Sequence, residues 1–304
     1  MKRRNFLKIS ALGGLLGSAF GNLGLSAQPE AKQAKKRRYH LRYAPRLDFL
    51  RRELSIPERL ELFAEHGFDA TEYNGLMRHA LNEVEEIRKK LDSLGMQMGI
   101  FVANPGGWSK SGLSHPAERD EFLAELKRAI EYHRVIGNNF CTVITGPERT
   151  HISRLRQQEN VIEGLKRAAE ILDRTELTIV VEPLNVLVNH PGYFLVHSEE
   201  AAEIMSAVGS PHVRILFDIY HQQISEGNLI NNIREYRPYI GYFQVGDVPG
   251  RKEPGTGEVN WKNVFKAIYE TGYRGFVGME HGLSQPGRAG LLKCFEEYHK
   301  ADSW

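Results

Sequence analysis

From Tyr39 to the C-terminus the chain alternates short apolar runs with longer amphipathic segments, eight of each, with no break in composition between them. Strand character falls at 39–44, 68–73, 96–102, 140–145, 177–182, 213–218, 240–244 and 275–280. Helices are predicted at 57–66, 81–94, 116–136, 153–174, 198–208, 227–236, 261–271 and 289–300, with Gly67, Gly95 and Gly137 placed as C-terminal stops. Strands that each lead into a helix must lie parallel, and eight such units close on themselves. The fold class is therefore α/β, a single-domain (β/α)8 TIM barrel over residues 39–304, close to the usual size of that architecture. An open doubly wound sheet would carry a Gly-rich phosphate turn after its first strand, and Tyr43-Ala-Pro-Arg46 has none.

Four consecutive strands end on a carboxylate or an amide: Glu182, Asp218, Gln244 and Glu280, spaced 36, 26 and 36 residues apart. One polar strand end is ordinarily a cap or loop residue. Four in succession would converge on one mouth of the barrel, where they form a hard, oxygen-rich cage. Such a cage suits Mg²⁺ or Mn²⁺ and tolerates Zn²⁺ or Co²⁺. A cation held there can chelate the adjacent oxygens of an α-hydroxycarbonyl and stabilise the enediolate left when the neighbouring carbon loses a proton. Glu182 and Glu280, on either side of that plane, are the natural acid–base pair. The chain has no zinc-type cysteine pair and no helical HExxH.

The first 27 residues read as an export signal. Arg3-Arg4 precede Phe6-Leu7-Lys8 in the twin-arginine manner, a weakly apolar Gly-containing stretch follows, and Leu25-Ser-Ala27 offers a cleavage site. Residues 28–38 read as a disordered linker, and the expected compartment of the mature protein is the periplasm. No other apolar run is long enough to cross a bilayer. The net charge of +2 owes four positives to this leader, so the remainder carries −2. That balance argues against a nucleic-acid partner and for a small hydroxycarbonyl or sugar substrate. Cys141 and Cys294 sit in apolar segments outside any metal-ligand spacing and read as buried thiols. The sequence leaves a homo-oligomer open.

Five segments carry a more specific signal: Val181-Glu182-Pro-Leu-Asn185, Pro191-Gly-Tyr-Phe194, Asp218-Ile-Tyr-His221, Gln244 to Arg251, and Glu253-Pro-Gly-Thr-Gly-Glu258-Val-Asn260. Together they resemble the hydroxypyruvate isomerase family of the xylose-isomerase-like TIM barrels, which is related to the ketose 3-epimerases. The similarity runs from about Tyr39 to His281 and is densest after Val180. It implies a divalent metal on Glu182, Asp218, Gln244 and Glu280, with the two glutamates moving the proton that converts hydroxypyruvate to tartronate semialdehyde. It also implies that His221 and Arg251 bind the substrate's oxygens, and that Asn104 to Trp108 border the site. The Val186 to His190 segment departs from the family pattern, as does an export signal among proteins that are usually cytoplasmic.

Weaker candidates are His190, His197, His281 and Glu72, each as easily structural as functional, while Asp247 and Glu258 read as loop-ordering groups. The alternatives to an isomerase are a ketose 3-epimerase or keto-sugar lyase on the same barrel, a nuclease of the endonuclease IV type, and a sugar-binding protein without chemistry. The nuclease wants a histidine-rich zinc cluster, and loss of chemistry sits badly with two intact glutamates.

Overall fold

The computed structural model describes residues 39–304; the predicted signal and linker lie outside them. Strand pairing makes a ring. β1 (Arg42–Pro45), β8 (Phe276–Met279), β7 (Ile240–Gln244), β6 (Val213–Asp218), β5 (Thr178–Val181) and β4 (Phe140–Val143) form one parallel sheet in that order. β2 (Ala70–Thr71) pairs in parallel with β3 (Gln97–Met98). Two parallel bridges, Arg46 to Glu72 and Val102 to Thr142, join this pair to β1 and β4. The eight strands thus close in sequence order.

Around them lie α1 (Ile56–Glu65), α2 (Leu81–Leu94), α3 (Arg119–Ile136), α4 (Arg154–Leu172), α5 (Ser198–Val208), α6 (Ile219–Ser225), α7 (Leu229–Glu235), α8 (Trp261–Glu270) and α9 (Gly287–Ala301). Local chemistry sets their ends. The Ser55 backbone N–H donates to Glu58 at 2.8 Å to open α1, the reciprocal half of a capping box. Gly137, at φ 71°, closes α3 in the left-handed conformation that glycine adopts without strain.

The structure differs from the sequence reading mainly in two places. Residues 116–118 form a separate 3₁₀ turn ahead of α3. The helix predicted at 227–236 is preceded by the unpredicted α6, which starts directly after Asp218. The Asp218 Oδ1 atom accepts from the Tyr220 N–H at 2.9 Å and caps it.

Most of the core lies between the strands and the outer helices. A second cluster of Ile100, Val180, Leu216 and Tyr242 fills the barrel, with Phe140 and Phe276 against it. Strand side chains alternate with a period of two. The register of Val180, Leu216 and Tyr242 therefore carries Glu182, Asp218 and Gln244 to the same inward phase, one step nearer the C-terminal mouth. Gly278 and Glu280 follow Phe276 in the same way.

Candidate active site

The C-terminal ends of β5 to β8 surround a cavity of about 350 Å³ lined by Glu182, Gln244, Glu280, His221, Arg251, His190 and Trp108, among others. Asp218 lies fully buried behind Arg251, with one oxygen spent on the α6 cap. The other oxygen, Oδ2, accepts from Arg251 Nη2 at 2.7 Å, and the same nitrogen donates to Glu280 Oε2 at 2.8 Å. Glu280 Oε1 in turn accepts from Asn74 Nδ2 at 2.6 Å.

His221 lies on α6, one turn from Asp218, with its Nε2 3.5 Å from Asp218 Oδ2 and 4.0 Å from Glu182 Oε1. Its other nitrogen, Nδ1, faces two donors from Asn185, the backbone N–H at 3.2 Å and the side-chain amide at 2.7 Å. Asn185 cannot turn that amide around, because its oxygen already accepts from the Val188 and Asn189 N–H groups. The proton of the neutral imidazole therefore sits on Nε2 and points at the carboxylates. Burial, then the Arg251 charge, lowers the His221 pKa to about 2, so the ring is neutral. Although Glu182, Asp218 and His221 are close enough to share an ion, this tautomer makes His221 a donor rather than a ligand.

The electrostatics are those of an acid cluster short of positive charge. Burial, followed by the Glu280 and Asp218 charges, raises Glu182 well above the usual carboxylate range. Burial and then Glu280 do the same to Glu72. Burial raises Asp218 against the opposing pull of Arg251. Burial alone would lower Arg251, but Glu280, Asp218 and Glu182 outweigh it and raise its pKa. Gln244 adds an amide whose Oε1 is buried without a hydrogen-bond partner, while its Nε2 donates to Glu72 Oε2 at 3.2 Å. Four clustered carboxyls, one guanidinium and an unpartnered amide oxygen form a donor set that fits a divalent cation.

Arg251 is held in place by its loop. It has φ 51°, a left-handed conformation that costs a non-glycine residue about 1–2 kcal/mol. Asp247 offsets this by accepting from the N–H groups of Val248, Gly255, Gly257 and Val259 at 2.8–3.3 Å. The loop-ordering role expected of Asp247 is the one observed.

Trp108 borders the cavity, stacked on His190 at 5.0 Å, and His190 packs on His221 at 5.2 Å. Asn104 was expected at the substrate, but both ends of its amide are tied to the end of β4: Oδ1 accepts from the Ile144 N–H at 3.0 Å and Nδ2 donates to the Ile144 carbonyl at 2.9 Å. It shapes the loop that presents Trp108 and does not line the cavity. His281 bonds Tyr298 and the Gly282 carbonyl, and His197 lies on the surface beside Glu226, so both stand apart from the acids. Asn74 and the orienting role of Asn185 were not read from the sequence. Asn185 stood inside a quoted motif, whereas Asn74 carried no signal.

Comparison with known proteins gives concordant results. Residues 60–294 match the family model described as a xylose isomerase-like TIM barrel. The chain is 32% identical over 253 residues to the 2-oxo-tetronate isomerase of Cupriavidus necator, covering 82% of this chain and 96% of that one. It is 31% identical over 254 residues to the hydroxypyruvate isomerase of Escherichia coli, covering 83% and 97%. Among solved structures, an AP endonuclease of family 2 from Brucella melitensis superposes with a TM-score of 0.76 at 30% identity, covering 83% of this chain and 97% of that one.

Proposed function

The chain belongs to the xylose isomerase-like TIM barrel family, and from that premise we propose that it is a divalent-metal-dependent isomerase of small 2-keto acids. The observation that carries this reading is the convergence of Glu182, Asp218, Gln244 and Glu280 at one mouth, with the Gln244 oxygen unpartnered and a single guanidinium among the acids. Relatives named hydroxypyruvate isomerase and 2-oxo-tetronate isomerase support the substrate class.

Glu182, Asp218, Gln244 and Glu280 would hold the metal, which when bound polarises the adjacent carbonyl and hydroxyl oxygens of the substrate. The proton transfers belong to the protein. With hydroxypyruvate, one glutamate removes a hydrogen from C3, the other delivers one to C2, and the hydroxyl proton on O3 passes to O2, giving tartronate semialdehyde. Glu182 and Glu280, which directly follow β5 and β8 and both line the cavity, form this pair. The His221 Nε2–H and the Arg251 guanidinium are the donors available to the oxygens that gain charge.

Two further residues favour an acid over a neutral sugar. Arg78 and Arg128 line the same cavity, and neither forms an ion pair with a carboxylate among the described residues. Arg128 is steadied by donating to the Met77 carbonyl at 2.9 Å. A guanidinium is the natural partner of a substrate carboxylate. The Brucella structure is named an endonuclease, but the donor set here is carboxylate and amide rather than the histidine-rich kind that a multi-zinc nuclease uses.

The test is turnover by Mn²⁺-reconstituted protein of hydroxypyruvate and 2-oxo-tetronate beside ketoses that lack a carboxylate. Keto acids are expected to have the higher kcat/KM, and Arg128→Ala to raise KM for them. Preference for the neutral ketoses would contradict the assignment.

A further inference from the structure

We propose that Glu72 is a positioning residue for the metal: by holding the Gln244 amide nitrogen it turns the Gln244 oxygen toward the cation. This rests on the metal reading above and adds a residue to it.

An amide side chain has two ends of nearly equal shape and opposite polarity, and only the oxygen end can ligate a cation. Which end faces the site is decided by whatever binds the other. For the Gln244 side chain the one hydrogen-bond partner among the described residues is Glu72 Oε2, at 3.2 Å from Nε2. Both residues are 1% exposed, so water does not compete for either end. The Gln244 oxygen is left buried and unpartnered, the state expected of a ligand atom without its ion.

The barrel is built to bring the two together. Glu72 follows β2, and its backbone bridges Arg46 at the end of β1. Its side chain reaches across the barrel to β7 and β8 only because residue 278 is glycine. A Cβ there would lie 1.8 Å from Glu72 Oε2 and 3.0 Å from Gln244 Cγ. Any side chain at 278 would evict the carboxyl. An acid placed merely to fill space would not require this cradle, two residues before Glu280.

The experiment is Mn²⁺ titration by calorimetry into chelator-stripped protein, comparing wild type, Glu72→Leu, Glu72→Gln and Gly278→Ala. Glu72→Leu removes the acceptor that fixes the Gln244 nitrogen and leaves the amide free to turn its oxygen away. Affinity is expected to fall roughly 10–100-fold, the usual cost of losing a group that orients a ligand. Glu72→Gln keeps a carbonyl oxygen that can accept from the same N–H, so it is expected to restore most of the affinity that Glu72→Leu loses. Gly278→Ala, which displaces the Glu72 carboxyl, is expected to weaken Mn²⁺ in the same direction as Glu72→Leu. Wild-type affinity in Glu72→Leu or in Gly278→Ala, or a loss in Glu72→Gln as large as in Glu72→Leu, overturns the proposal. Wild-type protein that takes up no Mn²⁺ would instead remove the metal reading, and this inference with it.

Discussion

At the scale of single residues, Asp218 does two jobs with two oxygens. Oδ1 caps α6 through the Tyr220 N–H, and Oδ2 accepts from Arg251 and is the oxygen left for the proposed cation. Substitution can separate these. Asp218→Asn keeps an oxygen for the cap and Asp218→Ala removes it, so the Ala variant should be the less stable by about 0.5–2 kcal/mol, read from chemical denaturation. Both should lose most of the bound metal by elemental analysis, and full occupancy in either would show that the ligand set is wrong. Glu182, Asp218, Gln244 and Glu280 were legible in the sequence because each ends an apolar run, and strand periodicity then fixes the direction of the side chain. Asn104 misled because a motif likeness shows where a loop lies and not where its amide points. Glu72 was visible as a strand end, but its reach depends on a glycine more than two hundred residues away, which no local pattern reveals.

The elements repeat the contrast between local and distant causes. α2, α5, β6 and β7 have the bounds the sequence predicted, because caps, periodicity and glycine stops are all local. α6 was missed because the sequence reading ended the strand at Asp218 and began the next helix at 227, leaving the short run between them unassigned. The Asp218 side chain caps this helix, and the helix brings His221 to the acids. β2 and β3 are shorter than predicted, since only two residues of each form a regular ladder and single bridges complete the ring. The barrel interior holds one small apolar cluster, so each member matters. Leu216→Ala, at a fully buried position in it, should cost about 2–5 kcal/mol. Leu155→Ala on α4, where the side chain is 67% exposed, should stay within about 0.5 kcal/mol. Urea denaturation of the two variants checks the pair, and equal losses would contradict the assignment of the inner core.

For the whole molecule, ring closure in sequence order places every strand end that carries a polar residue at the same mouth, which is why a pattern in the sequence became a site. The leader lies outside the described residues, and we propose that it sends the protein to the periplasm with a mature start near Gln28. Replacing Arg3 and Arg4 with lysine should leave precursor in the cytoplasm, detected by fractionation and N-terminal sequencing, and unchanged export would reject the twin-arginine route. The proposed function requires Glu182 and Glu280 to move a proton between adjacent carbons of a hydroxycarbonyl. Its most direct test is NMR of a substrate turned over in D₂O by the Mn²⁺-loaded protein. Deuterium is expected at the carbon that gains hydrogen, with roughly 10²–10⁴-fold slower turnover in Glu182→Gln and Glu280→Gln. Turnover without solvent deuterium, at wild-type rate in both variants, would contradict it.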